Sequence, residues 1–234
     1  MIKLYELVAN EAGVSPSPFV NMAELFLKHK GLEYEKIPLT FVQVHTEIPK
    51  VTNGEWSKVP TLVFPNGDIV YDTPKIAEYL DLNYPKNSIQ NPDSKLDELI
   101  SKYDSVAFPT SYQNIILDVY KVFDKDSAKY FKQTREQIFN LPWDQIPGDR
   151  QTNNDVYYNE TKPINDYLVN SKFLDGDKPA FHDYALIGRI QTLKVISPRT
   201  YTELIVNNPG ESFVNWVNSM EGLFDNFLGD RITV

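Results

Sequence analysis

The chain has 234 residues, of which 41% are hydrophobic and 24% are charged, enough for one large globular domain or two small ones. Its net charge of −9 argues against nucleic acid or an anionic membrane as partner, because both are bound through clustered lysine and arginine. The chain has no cysteine, which excludes disulfides, thiolate metal sites and a protein thiol nucleophile. Any thiol chemistry must therefore use the thiol of a ligand.

The start of the chain and its three histidines carry no targeting or metal signal. Residues 1–7 begin with the alternation of a strand and lack the basic start and apolar run of a signal peptide, so we expect a cytosolic protein. No apolar run approaches the roughly 20 residues needed to cross a bilayer. His29, His45 and His182 are not spaced as metal ligands. We expect neither a membrane partner nor a metal site.

The first 39 residues alternate between strand and helix signals. Period-2 polarity predicts a strand over residues 2–8. Ser17 followed by Pro18 is a typical N-cap and first-turn pair, and Gly31 is a typical C-terminal stop, so a helix is predicted between them. A second strand is predicted over Tyr34–Leu39.

The next segment predicts a hairpin and another helix. Residues 43–56 are polar without a clear period and predict no element. Two β-rich runs, residues 59–64 and 69–71, flank a Pro-Asn-Gly-Asp turn, which predicts antiparallel pairing. Thr73 and Pro74 then repeat the signature of a cap followed by proline. The predicted order is therefore β-α-β, an irregular link, and β-β-α.

The rest of the chain predicts helices. Residues 84–92 are rich in proline and asparagine and poor in apolar residues, as in a linker. Beyond residue 93 helical spacing dominates, with candidates over residues 127–140, 154–170 and 182–195, the last apolar on most sides and therefore predicted to be the buried central helix. We expect an α/β domain over residues 1–83, a linker over 84–92 and an all-helical domain over 93–234.

This arrangement, a thioredoxin-like β-α-β-β-β-α half joined to a helical half, resembles the glutathione transferase superfamily. Three short motifs carry the resemblance: Ser-Pro-Phe at residues 17–19, Val-Pro-Thr-Leu at 59–62 and Asp-Thr at 72–73. In the helical half, residues 176–179 with 183–185 are similar to the stretch that leads into the family's buried helix. Residues 130–136 and 183–193 resemble the fungal and bacterial β-etherase-like class. The motifs together cover nearly the whole chain.

One position departs from the family pattern. Relatives usually have serine or threonine three residues before Asp183, completing a capping box, whereas this chain has Ala180. Asp183 still stands at the positive end of the predicted helix. We expect a modest loss of stability and the same fold.

The resemblance implies an enzyme that uses glutathione as co-substrate, a detoxification type of chemistry and a homodimer. The implied reaction is thiolate addition or substitution at an electrophilic carbon of an apolar or aromatic molecule, with aryl ether cleavage if the class carries its function. A second hypothesis is a non-catalytic protein of the same fold that binds apolar ligands or serves as an assembly module. Disulfide or dehydroascorbate reduction is disfavoured, because it needs a cysteine at the helix start.

Ser17 is the candidate that would activate the thiol. A cysteine-like thiol has a pKa near 8.5, and a helix N-terminus with an added hydroxyl donor lowers such a value. The alternative is that Ser17 only caps the helix. Ser15 is a rival, since residues two apart in an extended loop face the same way. Tyr5 lies mid-strand and is expected to pack in the core.

Five further residues are implied by the resemblance as glutathione contacts. A cis Val59–Pro60 bond would present the Val59 backbone to the cysteinyl unit of glutathione. The Thr73 hydroxyl and nearby N–H groups would hold the γ-glutamyl carboxylate, and Asp72 would accept its ammonium group. Lys58 would face the glycyl carboxylate, although it could equally be a solvated surface lysine.

The co-substrate pocket is expected between the two domains. Phe108 and Tyr112 are candidates for its apolar wall. Aromatic residues at helical spacing pack interiors more often than they line a ligand site, so core packing is the alternative for both.

Overall fold

The computed structural model describes residues 1–234. Its first third forms a four-stranded sheet with three helices. The strands are β1 (Ile2–Leu7), β2 (Tyr34–Leu39), β3 (Thr61–Val63) and β4 (Ile69–Tyr71), and the helices are α1 (Pro18–Lys30), α2 (Phe41–Val51) and α3 (Thr73–Asn83). The sheet order is β2-β1-β3-β4. β1 and β2 are parallel, as a crossover through α1 requires, whereas β3 is antiparallel to β1 and β4.

The first helix follows the local signals in the sequence. Ser17 is the N-cap of α1, and Pro18 is its first residue. Gly31 ends the helix with a φ of 66°, a left-handed conformation in which a side chain is disfavoured. These predicted bounds are confirmed, as is the antiparallel hairpin of β3 and β4.

Three details of the first half differ from the predictions. Residues 43–56 contain most of α2, which Thr40 caps through a reciprocal pair of hydrogen bonds with Gln43. The third strand begins at Thr61 and not at Val59, because the proline at position 60 has no N–H to donate to a ladder. The cap of α3 is Asp72 and not Thr73, which is the first helical residue.

Helices make up most of residues 94–221. They are α4 (Ser94–Lys102), α5 (Phe108–Val122), α6 (Lys125–Phe139), α7 (Arg150–Leu168), α8 (Phe181–Ile196), α9 (Pro198–Tyr201) and α10 (Glu211–Glu221). Wider π-helical turns at Tyr103–Ala107 and Thr202–Val206 follow α4 and α9. The predicted fold class, a thioredoxin-like α/β domain followed by a helical domain, is confirmed. None of the helices is both long enough and apolar enough to span a membrane.

Helix α8 is the buried centre of the helical half, as its apolar sequence predicts. All but two of its residues are buried, since α1, α4, α5 and α10 pack around it. The side chain of Asp183 accepts four hydrogen bonds near the start of α8, from the backbone N–H groups of Leu174, Asp175 and Ala180 and from the indole of Trp216. Asp183 therefore anchors the preceding loop even though Ala180 provides no side-chain cap.

Candidate active site

Two adjoining cavities border the start of α1, the larger between the α/β half and the helical half and the smaller within the α/β half. The larger, of about 480 Å³, is lined mainly by apolar side chains from the loop before α1 and from α1, α2, α5 and α6. The smaller, of about 140 Å³, is lined by residues around β3 and the start of α3. Phe19, Lys58 and Val59 line both cavities. A small site that carries Lys58, Asp72 and Thr73 therefore opens beside a large, mainly apolar one.

The predicted site residues distribute between these two cavities. Ser17, Phe108 and Tyr112 line the larger cavity, together with Lys58 and Val59. The smaller cavity adds Pro60, Asp72 and Thr73. Ser15 lines neither cavity, and its buried hydroxyl makes no hydrogen bond within the chain. Tyr5 is a partly buried strand residue that packs against the core.

The Ser17 hydroxyl is held at the start of α1 with its proton free. Its Oγ accepts a hydrogen bond from the Val20 N–H at 3.3 Å, the geometry of an N-cap. A serine hydroxyl has one O–H donor besides its acceptor lone pairs, so capping does not use the donor. Ser17 is 8% exposed on the wall of the larger cavity. The same side chain can thus cap the helix and donate to a ligand atom.

Helix α8 fixes the position of that N-terminus. A Cβ at Gly188 would lie 2.7 Å from the carbonyl oxygen of Pro18, so only glycine allows α1 to pack this closely. The amide of Asn21 donates to the Gly188 carbonyl oxygen at 2.9 Å, and the Thr192 hydroxyl donates to the Pro16 carbonyl oxygen at 3.1 Å. The helical domain therefore holds the residues on both sides of Ser17. A glycine inside an apolar helix signals such a close approach in the sequence.

The backbone at Val59 offers an unpaired edge. The Val59–Pro60 peptide bond is cis, as the family resemblance implies. Neither the N–H nor the C=O of Val59 makes a hydrogen bond within the chain, although this residue borders both cavities. Since a free backbone N–H and C=O seek partners, this edge can pair with an extended ligand backbone.

The start of α3 forms the opposite side of the smaller cavity. Asp72 has a φ of 71° and a ψ of 120°, an uncommon conformation for a residue with a side chain, and its carboxylate does not cap the helix. The hydroxyl of Thr73 makes no hydrogen bond within the chain, and the first N–H groups of any helix lack helical partners. Together these groups favour an anion beside Thr73, with the Asp72 carboxylate free to accept from a cation.

Lys58 stands exposed at the junction of the two cavities. Its Nζ lies 5.6 Å from the centre of the Trp56 ring, and no carboxylate is within 4 Å of it. The cation is therefore available to a negatively charged ligand group, although its exposure weakens any one such contact.

The far wall of the larger cavity is not predicted from the sequence. It is formed by α2, α6 and the end of α5, through Phe41, His45, Phe123, Phe131 and Arg135. The Phe41 ring stacks on Phe123 with ring centres 5.4 Å apart. A threonine followed three residues later by glutamine, at positions 40 and 43, is the signal that could have found α2 and with it this wall.

Arg135 influences two groups of this wall. Burial raises the pKa of Tyr112, and the Arg135 guanidinium beside its hydroxyl opposes that rise. Burial lowers the pKa of His45, and the positive charges of Arg135 and Lys58 lower it further. His45 is therefore held neutral at physiological pH, and the wall gains its positive charge from Arg135.

The fold and the site together define a class. A thioredoxin-like domain presents the N-terminus of its first helix and an unpaired backbone edge to a cavity that a helical domain completes, the arrangement that the resemblance to glutathione transferases implies. Family models agree with it along the chain: the glutathione S-transferase N-terminal domain matches residues 16–82, and the glutathione S-transferase C-terminal domain matches residues 100–221. The chain belongs to the glutathione S-transferase family.

Individual relatives share little of their sequence with this chain. Glutathione S-transferase U3 of Arabidopsis thaliana is 32% identical over 87 residues, so the chain spans only 38% of the length of this curated relative. Glutathione transferase GSTFuA3 of Phanerochaete chrysosporium has a TM-score of 0.83 at 18% identity, covering 100% of this chain and 98% of that one. The glutathione S-transferase CsGST63524 of Ceriporiopsis subvermispora, solved in complex with glutathione, has a TM-score of 0.82 at 17% identity, covering 94% and 96%. Because their sequence identities are only 18% and 17%, these two structures show a shared fold and nothing further about this chain.

Proposed function

We propose that this chain catalyses the attack of glutathione sulfur on an electrophilic carbon of an apolar or aromatic co-substrate, and that Ser17 holds the sulfur as a thiolate. The observation that carries the proposal is the Ser17 hydroxyl, which lines the larger cavity at the start of α1 with its donor unused. Ser15 lines neither cavity, which favours Ser17 over its rival. The free N–H groups of the first turn add partial positive charge at the same place.

The proposed reaction needs no reactant besides glutathione and the co-substrate. The thiol releases its proton to solvent, and the Ser17 O–H and the start of α1 stabilise the resulting thiolate. The sulfur lone pair forms the new C–S bond. A leaving group, where there is one, departs with the electron pair of its bond to carbon. The protein contributes a lowered thiol pKa and the fixed positions of the two reactants.

Glutathione recognition is assigned to the smaller cavity. The Val59 N–H and C=O pair with the backbone of the cysteinyl unit, as an added strand would. The Thr73 hydroxyl and the first N–H groups of α3 bind the γ-glutamyl carboxylate, and Asp72 accepts from the γ-glutamyl ammonium. Lys58 faces the glycyl carboxylate. Each assignment uses a polar group that the fold leaves without a partner.

Aryl ethers are one co-substrate class that this site could accept. Attack of the thiolate on the ether carbon would form a thioether, and the bonding pair would leave on a phenolate. A phenol has a pKa near 10, so it can leave without an acid residue, and no Asp or Glu lines the larger cavity. Release of a phenol from an aryl ether in the presence of glutathione tests this class. The alternative of a non-catalytic ligand-binding module has no observation that favours it.

A homodimer in the cytosol remains part of the proposal. It is supported by the family resemblance alone. Size-exclusion chromatography with light scattering tests the dimer, since a mass of 26.9 kDa is expected for one chain and twice that for two.

The decisive test of the thiolate proposal is Ser17→Ala. The variant removes one donor and leaves the N–H groups of α1 in place. A hydrogen bond to a charged acceptor contributes about 1.5–3 kcal/mol, so the pKa of bound glutathione should rise by about one to two units at 1.36 kcal/mol each. The ultraviolet absorbance of the bound thiolate, followed against pH, measures this shift. Turnover at neutral pH should fall in proportion.

Ser15→Ala is the matched control, since it also removes one buried serine hydroxyl. A titration that moves in Ser15→Ala and not in Ser17→Ala would transfer the role to Ser15. If Ser17 is only a cap, its loss lowers stability by about 0.5–2 kcal/mol and leaves the titration unchanged. A wild-type chain whose melting temperature does not rise in millimolar glutathione contradicts the whole proposal.

A further inference from the structure

The larger cavity has a charge opposite to that of the whole protein. The chain carries a net charge of −9, yet no Asp or Glu is among the 20 residues that line this cavity. Its ionisable basic residues are Lys58, His45 and Arg135. Lys58 stands at the junction with the smaller cavity, and His45 is held neutral. Arg135 is therefore the fixed positive charge of the apolar part.

Arg135 differs from the other four arginines of the chain. Each of the others has a carboxylate within 4 Å, in the pairs Arg150–Glu203, Arg189–Asp104, Arg199–Glu203 and Arg231–Glu24. Arg135 has none, and the carboxylate of the adjacent Glu136 accepts from the Trp143 backbone N–H. The Arg135 guanidinium is half-buried in a largely apolar site and no carboxylate neutralises it, so it is available to a carboxylate of a ligand.

The guanidinium is also held in position without using most of its donors. Its carbon lies 4.5 Å from the centre of the Phe131 ring and 5.7 Å from that of Phe41, within the range of cation–π contact. Its Nη1 donates to the Thr134 hydroxyl at 3.1 Å, and the Tyr112 hydroxyl lies beside it. Arginine has five N–H donors, so most of them stay free even if Tyr112 accepts one. The two aromatic rings therefore hold the planar guanidinium in position and leave its free N–H groups able to bind an anion.

We propose that the co-substrate is an aromatic carboxylate, with its ring among the phenylalanine side chains and its carboxylate paired with Arg135. This proposal rests on the proposed function, since it names the substrate class of the same cavity. The planar guanidinium matches a carboxylate through two parallel hydrogen bonds, which also orients the ligand. The electrophilic carbon is then held at a set distance from the carboxylate, within the cavity that Ser17 also lines.

Binding is tested first with a pair of unreactive probes, naphthalene-2-carboxylate and naphthalene-2-carboxamide, which have the same ring and differ in charge. Calorimetry of the wild-type chain should show tighter binding of the carboxylate. Arg135→Met keeps an apolar stem against Phe131 and should weaken carboxylate binding about tenfold to a hundredfold, with amide binding changed less than about twofold. Arg135→Lys keeps the positive charge but loses the planar guanidinium, so its affinity for the carboxylate should lie between those of the wild type and Arg135→Met.

Lys129→Met is the matched control, because Lys129 is exposed on the same helix, lies outside the cavity and has no carboxylate within 4 Å. It should bind both probes as the wild type does. The proposal is wrong if the wild type does not prefer the carboxylate, or if Arg135→Met weakens both probes equally. It is also wrong if Lys58→Met, and not Arg135→Met, removes the preference. Thermal melting of each variant checks that it is folded, and Arg135→Lys decides between these outcomes if Arg135→Met is unfolded.

A reactive pair separates this proposal from the proposed function. With 4-chloro-3-nitrobenzoate and its amide, the glutathione thiolate bonds to the ring carbon that bears chlorine, and chloride leaves with the bonding pair. Rates are divided by the uncatalysed rates, since the two electrophiles differ in reactivity. Absence of thioether from both, with the binding preference intact, would refute the proposed catalysis alone. Equal turnover of both by wild type and Arg135→Met would refute the aromatic-carboxylate proposal alone.

Discussion

Replacement of Asp183 by asparagine should destabilise the protein severely, although the two side chains are almost the same size. The Asp183 carboxylate is fully buried. Its Oδ1 accepts from the Leu174 N–H at 2.8 Å and from the Trp216 indole at 2.7 Å. Its Oδ2 accepts from the Asp175 and Ala180 N–H groups at 3.1 and 3.2 Å. All four partners are donors, so every position around the carboxylate requires an acceptor.

The magnitude follows from this geometry. An asparagine amide has one oxygen and one NH2 group, so either orientation places the NH2 against two N–H donors. Burial raises the pKa of Asp183 to about 6, while hydrogen bonds from Trp216, Leu174 and Asp175 oppose the rise, so the native acceptor is charged at neutral pH. Each lost hydrogen bond to a charged acceptor costs about 1.5–3 kcal/mol, which gives about 3–6 kcal/mol for the pair. That is a large part of the roughly 5–15 kcal/mol typical of a folded protein.

Urea unfolding at neutral pH measures the change, with Asp177→Asn as the control. Asp177 lies six residues earlier, is exposed and makes no hydrogen bond or ion pair through its side chain, so its substitution should change stability by less than about 0.5 kcal/mol. A loss below about 1 kcal/mol in Asp183→Asn would refute the reasoning, because two buried donors would then have found other acceptors at little cost.

Three further variants test other parts of the structure. Gly188→Ala should lower stability by about 1–3 kcal/mol and also alter the thiolate pKa of bound glutathione, because the new Cβ displaces α1; urea unfolding and thiolate titration measure both. Asp72→Gly should raise the melting temperature by relieving a positive φ, worth about 1 kcal/mol, yet weaken glutathione binding in calorimetry; unchanged affinity would remove Asp72 from the site. For His182, burial lowers the pKa, but hydrogen bonds to Asp175 and Asp97 outweigh it and raise the value. This stabilisation is complete below the unfolded pKa of about 6.5 and is lost as pH rises through the folded pKa, so the difference in stability between wild type and His182→Gln should narrow as pH rises above about 6.5.

The elements that the sequence predicts correctly are those set by local chemistry. Ser17, Pro18 and Gly31 define α1 because capping, a fixed φ and a left-handed stop act within one turn. The burial of α8 is predictable for a similar reason, since a helix that is apolar on most sides has no polar face to expose to solvent. The same fold is retained at Ala180, where Asp183 accepts hydrogen bonds from the preceding loop and from Trp216.

The parts that the sequence does not predict depend on contacts across the chain. The prediction missed α2 although Val44, Ile48 and Val51 recur at helical spacing, because Pro49 stands in its last turn and the Thr40 cap precedes residues 43–56. The apolar wall joins Phe41 to Phe123 and Phe131, more than 80 residues apart in sequence, and no local pattern specifies that contact. In sequence, Arg135 is an ordinary charged residue of an amphipathic helix, and only its position over two rings distinguishes it.

The candidate thiol site belongs to the α/β half, but its precision comes from the helical half. Every residue assigned to glutathione lies before residue 84, whereas the contacts that fix both sides of Ser17 come from Gly188 and Thr192 of α8. A hydrogen bond from a hydroxyl to sulfur weakens steeply when the donor moves, so a small displacement of α1 lowers thiol activation even if no site residue changes. Under the proposed function, the close packing at Gly188 should therefore affect thiol activation as well as stability. Natural or engineered changes on the α1 side of α8 should alter the thiol pKa, while those facing α10 should alter stability alone.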